Sequence, residues 1–154
     1  MLDHIDYSIV SALQDDGRIS NVQLAERIGL SPSACLRRVQ ILEDRGIITG
    51  YAAMIDAAAL GRSTHIIVAI TLERQSEDYL SQFEQAVADC PDVMECYLMA
   101  GDADYVLRLQ ARDAADYERI HKEHLSRLPG VARIQSSFAL RQVVRRNGIQ
   151  LDAH

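Results

Sequence analysis

The most constraining feature of this chain is a very short connection between two segments that both begin with helix-capping residues. Ser20 is followed three residues later by Gln23, the capping-box spacing in which each side chain satisfies one backbone N–H at a helix start. The next segment begins at Ser31-Pro32, where Ser caps and Pro takes the first helical position. Only residues 29–31 separate the two helices. They must therefore cross steeply, which is the helix-turn-helix geometry.

A further amphipathic helix precedes these two, and a short strand is predicted after them. Apolar residues recur at three- and four-residue steps from Ile5 to Leu13, with Asp3 as a plausible N-cap. After Gly46, residues 47–55 are apolar and rich in strand formers, which predicts a short wing or a linker strand. We expect a winged helix-turn-helix domain over residues 1–50 and a linker over residues 51–63.

The second predicted helix of the pair carries polar side chains on its outward face. Ser33, Arg37 and Gln40 fall at i, i+4 and i+7, and Arg38 flanks them. A helix-turn-helix inserts the N-terminal part of this helix into the major groove, where base edges present donors and acceptors. An ordinary three-helix bundle with a solvated arginine face is the alternative on this pattern alone. The residues predicted to contact DNA are Ser31, Ser33, Ala34, Arg37, Arg38 and Gln40.

The second half of the chain alternates predicted strands and helices in the order βαββαβ. The strands are predicted over residues 64–73, 93–100, 104–111 and 131–140, and the helices over residues 76–90 and 113–128. Two right-handed crossovers then give a four-stranded antiparallel sheet with both helices on one face, the ferredoxin-like arrangement. Apolar side chains of residues 66–70 and 106–109 are expected to coat the other face, which predicts burial against a second copy of the chain.

Composition limits the classes of partner and the compartment. A net charge of −6 argues against a protein that binds polyanions or membranes over its whole surface, although residues 17–46 carry five arginines against three acidic residues. The longest clean apolar run, residues 66–72, is far short of a membrane span. Three cysteines without CxxC spacing favour a reducing cytoplasm.

A loop between the two middle strands is the second candidate site. Gly101 permits a tight connection, and Asp102 and Asp104 place two carboxylates beside loop backbone groups. The carboxylates could meet the ammonium of a zwitterionic ligand while loop N–H groups meet its carboxylate. A polar hairpin turn explains the same residues equally well, because Asp is common in turns.

Metal binding and catalysis have weaker support. His121 and His124 share one helix face with Glu118, but no further ligands accompany them, and His124 lies on the apolar stripe. The chain has no nucleophile-elbow, P-loop or dinucleotide motif, so we predict that it is not an enzyme and needs no cofactor. A metal- or small-molecule-sensing ferredoxin-like protein or enzyme with a vestigial helical domain is the alternative function.

Taken in order, these motifs resemble the Lrp/AsnC (leucine-responsive, feast/famine) transcription regulators along essentially the whole chain. The motifs that carry the resemblance lie at residues 5–6, 16–21, 28–39, 42–43, 46–48, 101–105 and 128–131. The resemblance implies an α+β chain: the helical domain, the linker strand, a ferredoxin-like (RAM-type) domain over residues 64–142 for effector binding and oligomerisation, and a tail over residues 143–154. Ala103 departs from the bulky residue common in the family, which leaves the size of the pocket open.

The resemblance also implies function. It implies a sequence-specific DNA-binding regulator that forms dimers, commonly assembled into octamers, and responds to a small amino acid held between dimers. The effector-binding residues implied by position are Tyr97, Met99, Ala100, Gly101, Asp102, Asp104, Ser136 and Ser137.

Overall fold

Three helices form the N-terminal part of the chain, and each begins where a side chain caps it. They are α1 (His4–Asp15), α2 (Asn21–Ile28) and α3 (Pro32–Asp44); the computed structural model describes residues 2–151. The Ser20–Gln23 capping box is present, as predicted, and Asp3 and Asp6 form a second one at α1. Helix α2 ends at Gly29 in the left-handed conformation, with φ of 76°. The predicted helix-turn-helix is therefore confirmed.

The helical core lies among the inward faces of all three helices. Its fully buried side chains are Ile9, Ala12, Leu24, Ala25, Cys35 and Leu42. Burial raises the pKa of the Cys35 thiol, so this cysteine is a packed apolar side chain rather than a nucleophile.

The prediction of a wing or linker strand after α3 is wrong for the single chain. Residues 47–63, all of which the structure describes, contain no strand. The N–H groups of Ile47 and Ile48 both donate to the carbonyl of Leu42 and close the end of α3, while Tyr51 and Ile55 are exposed. A strand exists only where a neighbouring strand satisfies its backbone groups, and this segment has no such neighbour in its own chain.

The second half has the predicted βαββαβ order. Its elements are β1 (Thr64–Leu72), α4 (Glu77–Ala88), β2 (Val93–Leu98), β3 (Tyr105–Ala111), α5 (Ala114–Glu123) and β4 (Val131–Phe138). The strands form one antiparallel sheet in the order β2-β3-β1-β4. Helix α5 ends earlier than predicted, and a 3-10 turn at Leu125–Arg127 follows it.

The two faces of this sheet differ in chemistry. Alternate residues of β1 and β3 pack against α4 and α5 to form the core: Ile66, Val68, Ile70, Leu107 and Leu109, with Phe83 and Ile120 from the helices. The opposite face carries Ile67, Ala69 and Val106 beside an Arg108–Glu95 ion pair of 2.6 Å. Of the residues 66–70 and 106–109 that were expected to supply apolar side chains to the open face, strand alternation sends about half into the core and leaves Ile67, Ala69 and Val106 on that face.

The chain divides into two compact units, here called the helical unit and the sheet unit. The helical unit comprises residues 2–54 and 144–151, and the sheet unit comprises Ile55–Val143. The predicted C-terminal tail therefore belongs, as far as residue 151, to the helical unit; residues 152–154 lie outside the described residues. No helix within residues 2–151 is long and apolar enough to cross a membrane.

Candidate nucleic-acid interface and ligand site

Helix α3 presents an open polar face. Ser33, Arg37 and Gln40 are exposed, while Cys35 and Leu42 on the opposite side are buried in the helical core. Arg37 makes no ion pair with any residue in the described part of the chain. A guanidinium that is free, fixed on a rigid helix and flanked by a hydroxyl and an amide can donate in the bidentate way that guanine accepts.

The start of α3 is fixed by its own cap and by α2. The Ser31 Oγ accepts a hydrogen bond from the Ala34 N–H at 3.3 Å and lies 3.3 Å from the Ser33 Oγ. The Asn21 side-chain amide of α2 donates to the Pro32 carbonyl at 2.8 Å. The helix N-terminus with its partial positive charge is thus held rigidly, and the two serine hydroxyls remain exposed beside it.

Arg38 does not lie on the open face, which corrects its predicted place beside Arg37. Its guanidinium pairs with both carboxylates at the start of α1, at 2.7 Å to Asp3 and 2.8 Å to Asp6. These hydrogen bonds raise the pKa of Arg38, and the pKa of Asp3 is lowered by the Asp6 backbone N–H and by Arg38. Arg38 therefore connects α3 to α1 through two ion pairs.

One apolar side chain of α3 lies outside the helical core. Leu36 is 48% exposed. It lines a groove together with Leu24, Val39 and Tyr51, and the Tyr51 hydroxyl donates to Glu43 of the same helix at 2.9 Å. A segment outside the helices thus forms one wall of the groove, which helical periodicity could not have predicted.

In the sheet unit, Asp104 is a buried structural carboxylate. Its oxygens accept hydrogen bonds from the Leu72 backbone N–H at 2.7 Å and from the Gln75 side-chain amide at 2.6 Å. Both oxygens are engaged, and the side chain is buried. The expectation that Asp104 meets a ligand ammonium does not fit this geometry, because Asp104 already holds the end of β1 against the loop.

The rest of the loop is open. Asp102 is exposed, and the backbone N–H groups of residues 100–103 make no hydrogen bond within the described residues. Met99 is anchored by its N–H to the Asp104 carbonyl at 2.8 Å. Tyr97 is exposed and donates to Glu95 at 2.9 Å. One exposed carboxylate beside unused N–H donors matches the two charges of a free amino acid.

The two predicted serines of β4 point to opposite faces of the sheet. Ser136 pairs with buried Val68, and its hydroxyl bonds to that of Tyr117 on α5, whereas Ser137 pairs with Ile67 on the open face. In the loop, the Asp104 N–H donates to the carbonyl of Ile70 in β1, and Ile70 is three residues from Ile67. Within one chain, the loop and the serines are therefore not brought into one pocket.

His121, His124, Cys90 and Cys96 lie in surroundings that fit structural roles rather than metal binding or catalysis. The His121 ring packs edge-on against Tyr117, and the His124 Nε2 lies 3.9 Å from a carboxylate oxygen of Asp92. Among residues 2–151, no group of three or more His, Cys, Asp or Glu side chains could hold a metal ion. Burial raises the pKa of Cys90, and it raises that of Cys96 to about 11, so neither thiol is activated.

The helical unit carries a rigid recognition helix with a free arginine, and the separate sheet unit carries an open ligand loop. Together these features define a DNA-binding protein with a sensor domain. Comparison with known families agrees. A winged helix-turn-helix DNA-binding model matches residues 2–49, and a model of the Lrp/AsnC ligand binding domain matches residues 65–149. The chain therefore belongs to the Lrp/AsnC family of transcriptional regulators, which confirms the predicted family and fold class.

Individual relatives have the same organisation. The Bkd operon transcriptional regulator of Pseudomonas aeruginosa is 45% identical over 146 residues, which are 95% of each chain. The leucine-responsive regulatory protein of Escherichia coli is 42% identical over 146 residues, which are 95% of this chain and 89% of that protein. A transcriptional regulator from Neisseria meningitidis, solved as a complex with L-methionine, superposes with a TM-score of 0.92 at 33% identity, covering 99% of this chain and 98% of that one.

Proposed function

We propose that this regulator binds operator DNA through Arg37, Ser33 and Gln40, and that an amino acid bound at the loop of residues 99–104 modulates its DNA binding. The observation that carries the DNA part is the contrast between two adjacent arginines. Arg37 is exposed and unpaired among the described residues, while Arg38 is held by two carboxylates. Base recognition therefore rests on Arg37, and Arg38 fixes the angle of the helix that carries it.

The ligand part rests on charge and hydrogen-bond complementarity at the loop. The free N–H groups of residues 100–103 suit the carboxylate of an amino acid, and the exposed Asp102 suits its ammonium. The complex of the Neisseria regulator with L-methionine supports the amino-acid class of ligand. Asp104 shapes the loop from behind by holding Leu72 and Gln75.

Self-association completes both parts of the function. The open sheet face with Ile67, Ala69 and Val106 is an apolar strip that suits a second copy, and a dimer presents two recognition helices to an imperfect palindrome. Because the loop and Ser137 lie apart in one chain, an effector that touches both is held between copies, with octamers as the proposed assembly. The dimer-dimer contact thereby becomes part of the ligand site.

The arginine contrast gives the decisive experiment. Selection of bound duplexes from a random DNA pool defines the preferred site, and binding of the full-length protein to that site and to single-base variants is then measured by fluorescence anisotropy. Arg37→Ala should cost about 1–3 kcal/mol of binding free energy and relax the preference at one base pair in each half-site. Arg38→Ala should weaken binding to all sequences alike and leave the base preferences unchanged.

The double variant Asp3→Asn/Asp6→Asn is the matched control. It retains Arg38 but removes both of its charged partners, so it should reproduce the uniform weakening caused by Arg38→Ala. Base preferences that are unaltered by Arg37→Ala, or that relax at one position in Arg38→Ala, would contradict the assignment.

A further inference from the structure

The C-terminal tail is attached to the helical unit by a paired backbone contact. The Gln14 side-chain amide near the end of α1 donates to the Ile149 carbonyl at 3.2 Å, and its oxygen accepts from the Ile149 N–H at 2.8 Å. One amide thus satisfies both backbone groups of one tail residue, as a neighbouring strand would. The Asn147 side chain adds a 3.0 Å contact to the sulfur of Met54.

Gly148 lies against the Gln14 side chain that holds Ile149. A Cβ built on Gly148 would lie 2.8 Å from the Gln14 Oε1 and 2.9 Å from its Cδ. Any larger residue there would have to displace the amide that holds Ile149. Gln14, Gly148 and Ile149 are here called the tail clasp.

The tail clasp keeps two arginines close to the helical unit. Arg145 and Arg146 lie three and two residues before Gly148, and both are exposed and without an ion-pair partner in the part of the chain that the structure describes. Four residues of extended chain span at most about 14 Å, so both backbones lie within that distance of Ile149. The tail therefore brings a compact positive charge to the C-terminal end of α1.

This end of α1 lies beside the recognition helix. Gly17, three residues after Gln14, is packed so that a Cβ there would be 3.8 Å from the Tyr51 ring, and the Tyr51 hydroxyl bonds to Glu43 of α3. When α3 occupies a major groove about 12 Å wide, the sugar-phosphate backbones run along both of its flanks. The tail is thus anchored one turn of α1 before the residue that contacts Tyr51.

The charge of the helical unit gives an independent reason for the tail. Residues 1–54 contain five arginines and seven acidic residues, a formal charge of −2, and residues 144–154 add two arginines and one acidic residue, Asp152. The tail thus reduces the formal negative charge of the unit from −2 to −1, and its two arginines are exposed.

From these contacts we infer that Arg145 and Arg146, positioned by the tail clasp, form a second DNA contact that binds backbone phosphates beside the groove occupied by α3. The contact carries no sequence information, because phosphates are the same at every base pair. It adds affinity and salt dependence to the recognition supplied by Arg37.

The salt dependence of DNA binding by the full-length protein tests this contact. The slope of log K against log salt concentration changes by about 0.9 for each phosphate contact. Arg145→Ala/Arg146→Ala should therefore lower the magnitude of the slope by about 1.8 for each bound helical unit, with the ratio of specific to mutated-site affinity unchanged. Circular dichroism should show an unaltered fold, because both side chains are exposed.

Two variants that keep both arginines test the tail clasp itself. Gln14→Leu removes both hydrogen bonds to Ile149, and Gly148→Ala displaces the Gln14 amide. Each should reduce the salt slope in the same direction as the double arginine variant. The control is Lys122→Ala/Arg127→Ala, which removes two exposed positive charges from the sheet unit and should leave the slope at the wild-type value.

The inference is overturned if the double arginine variant retains the wild-type slope. It is equally overturned if both clasp variants show the wild-type salt slope of DNA binding. It is also overturned if the sheet-unit control lowers the magnitude of that slope as much as the double arginine variant does, since loss of positive charge alone would then explain the effect. Loss of base preference in the tail variant would also contradict it.

Discussion

Removal of the Asp104 carboxylate should destabilise the sheet unit, and the effect can be worked out from two hydrogen bonds. In Asp104→Ala, the Leu72 N–H loses its 2.7 Å acceptor, and the Gln75 amide loses its 2.6 Å acceptor. Leu72 is 5% exposed, so water cannot readily replace the lost acceptor. Gln75 is exposed and can turn to solvent, so its loss costs little.

The magnitude follows from these two environments. A bond from a buried backbone N–H to a charged acceptor contributes about 1.5–3 kcal/mol, and an exposed side-chain bond contributes roughly 0.5 kcal/mol. We expect Asp104→Ala to lower the free energy of unfolding by about 2–3.5 kcal/mol.

Urea denaturation of the full-length protein, followed by tyrosine fluorescence and circular dichroism, measures this loss. Asp104→Asn is the matched control. Its amide oxygen can still accept from the Leu72 N–H, and Gln75 can rotate its own amide to accept from the new NH2 group. We expect Asp104→Asn to recover most of the stability lost in Asp104→Ala.

Two outcomes would refute this reasoning. Stability of Asp104→Ala within about 0.5 kcal/mol of the wild type would show that the buried N–H finds another partner. Undiminished stability combined with loss of amino-acid binding would show that Asp104 acts on the ligand directly.

The remaining predictions concern the ligand and acid stability. A panel of the twenty amino acids tested by thermal shift should identify stabilising effectors, and Asp102→Asn should abolish the shift without lowering the Tm of the free protein, because Asp102 is exposed. The Arg112 backbone N–H and guanidinium hold the pKa of Asp116 well below its ordinary value, so this carboxylate stabilises the fold above about pH 4 and the stabilisation is lost as pH falls further. Asp116→Asn should therefore flatten the acid limb of a stability-against-pH curve, and an unchanged limb would refute the assignment.

The boundaries of α2 and the start of α3 could be predicted from sequence because local chemistry determines them. Ser20, Gln23 and Ser31 cap helices through groups three residues away, and Gly29 ends α2 because it adopts a left-handed conformation. Such interactions are complete within five or six residues. No assembled tertiary structure is needed to recognise them.

Arg38 and Asp104 could not be assigned correctly because their partners are distant in sequence. Arg38 pairs with acidic residues 32 and 35 positions earlier, and Asp104 bonds to a backbone group 32 positions earlier. In the sequence, Arg38 looks equivalent to Arg37, and Asp104 looks equivalent to Asp102. Only the packing of α1 on α3, and of the loop on β1, separates a residue that holds the fold from one that faces solvent.

The absence of a strand at residues 47–55 and the anchoring of the tail could not be predicted for a different reason. Residues 47–55 have strand-forming composition, but a strand requires a partner, and composition does not reveal whether the same chain supplies one. The tail looked like a polar end because its anchor is a single glutamine, Gln14, whose role depends on a backbone 135 residues away. Amphipathic periodicity cannot detect a contact between one side chain and an irregular segment.

The acidity of the chain is compatible with DNA binding because its carboxylates and its free cations are used in different places. In the sheet unit, Asp92, Asp104 and Asp116 are buried and bonded to arginines, an amide or backbone N–H groups. In the helical unit, five of the seven arginines between residues 2 and 151 make no ion pair: Arg18, Arg37, Arg45, Arg145 and Arg146. Because the net charge of −6 limits non-specific attraction, we expect DNA binding to depend on these few exposed guanidinium groups and to weaken steeply with salt.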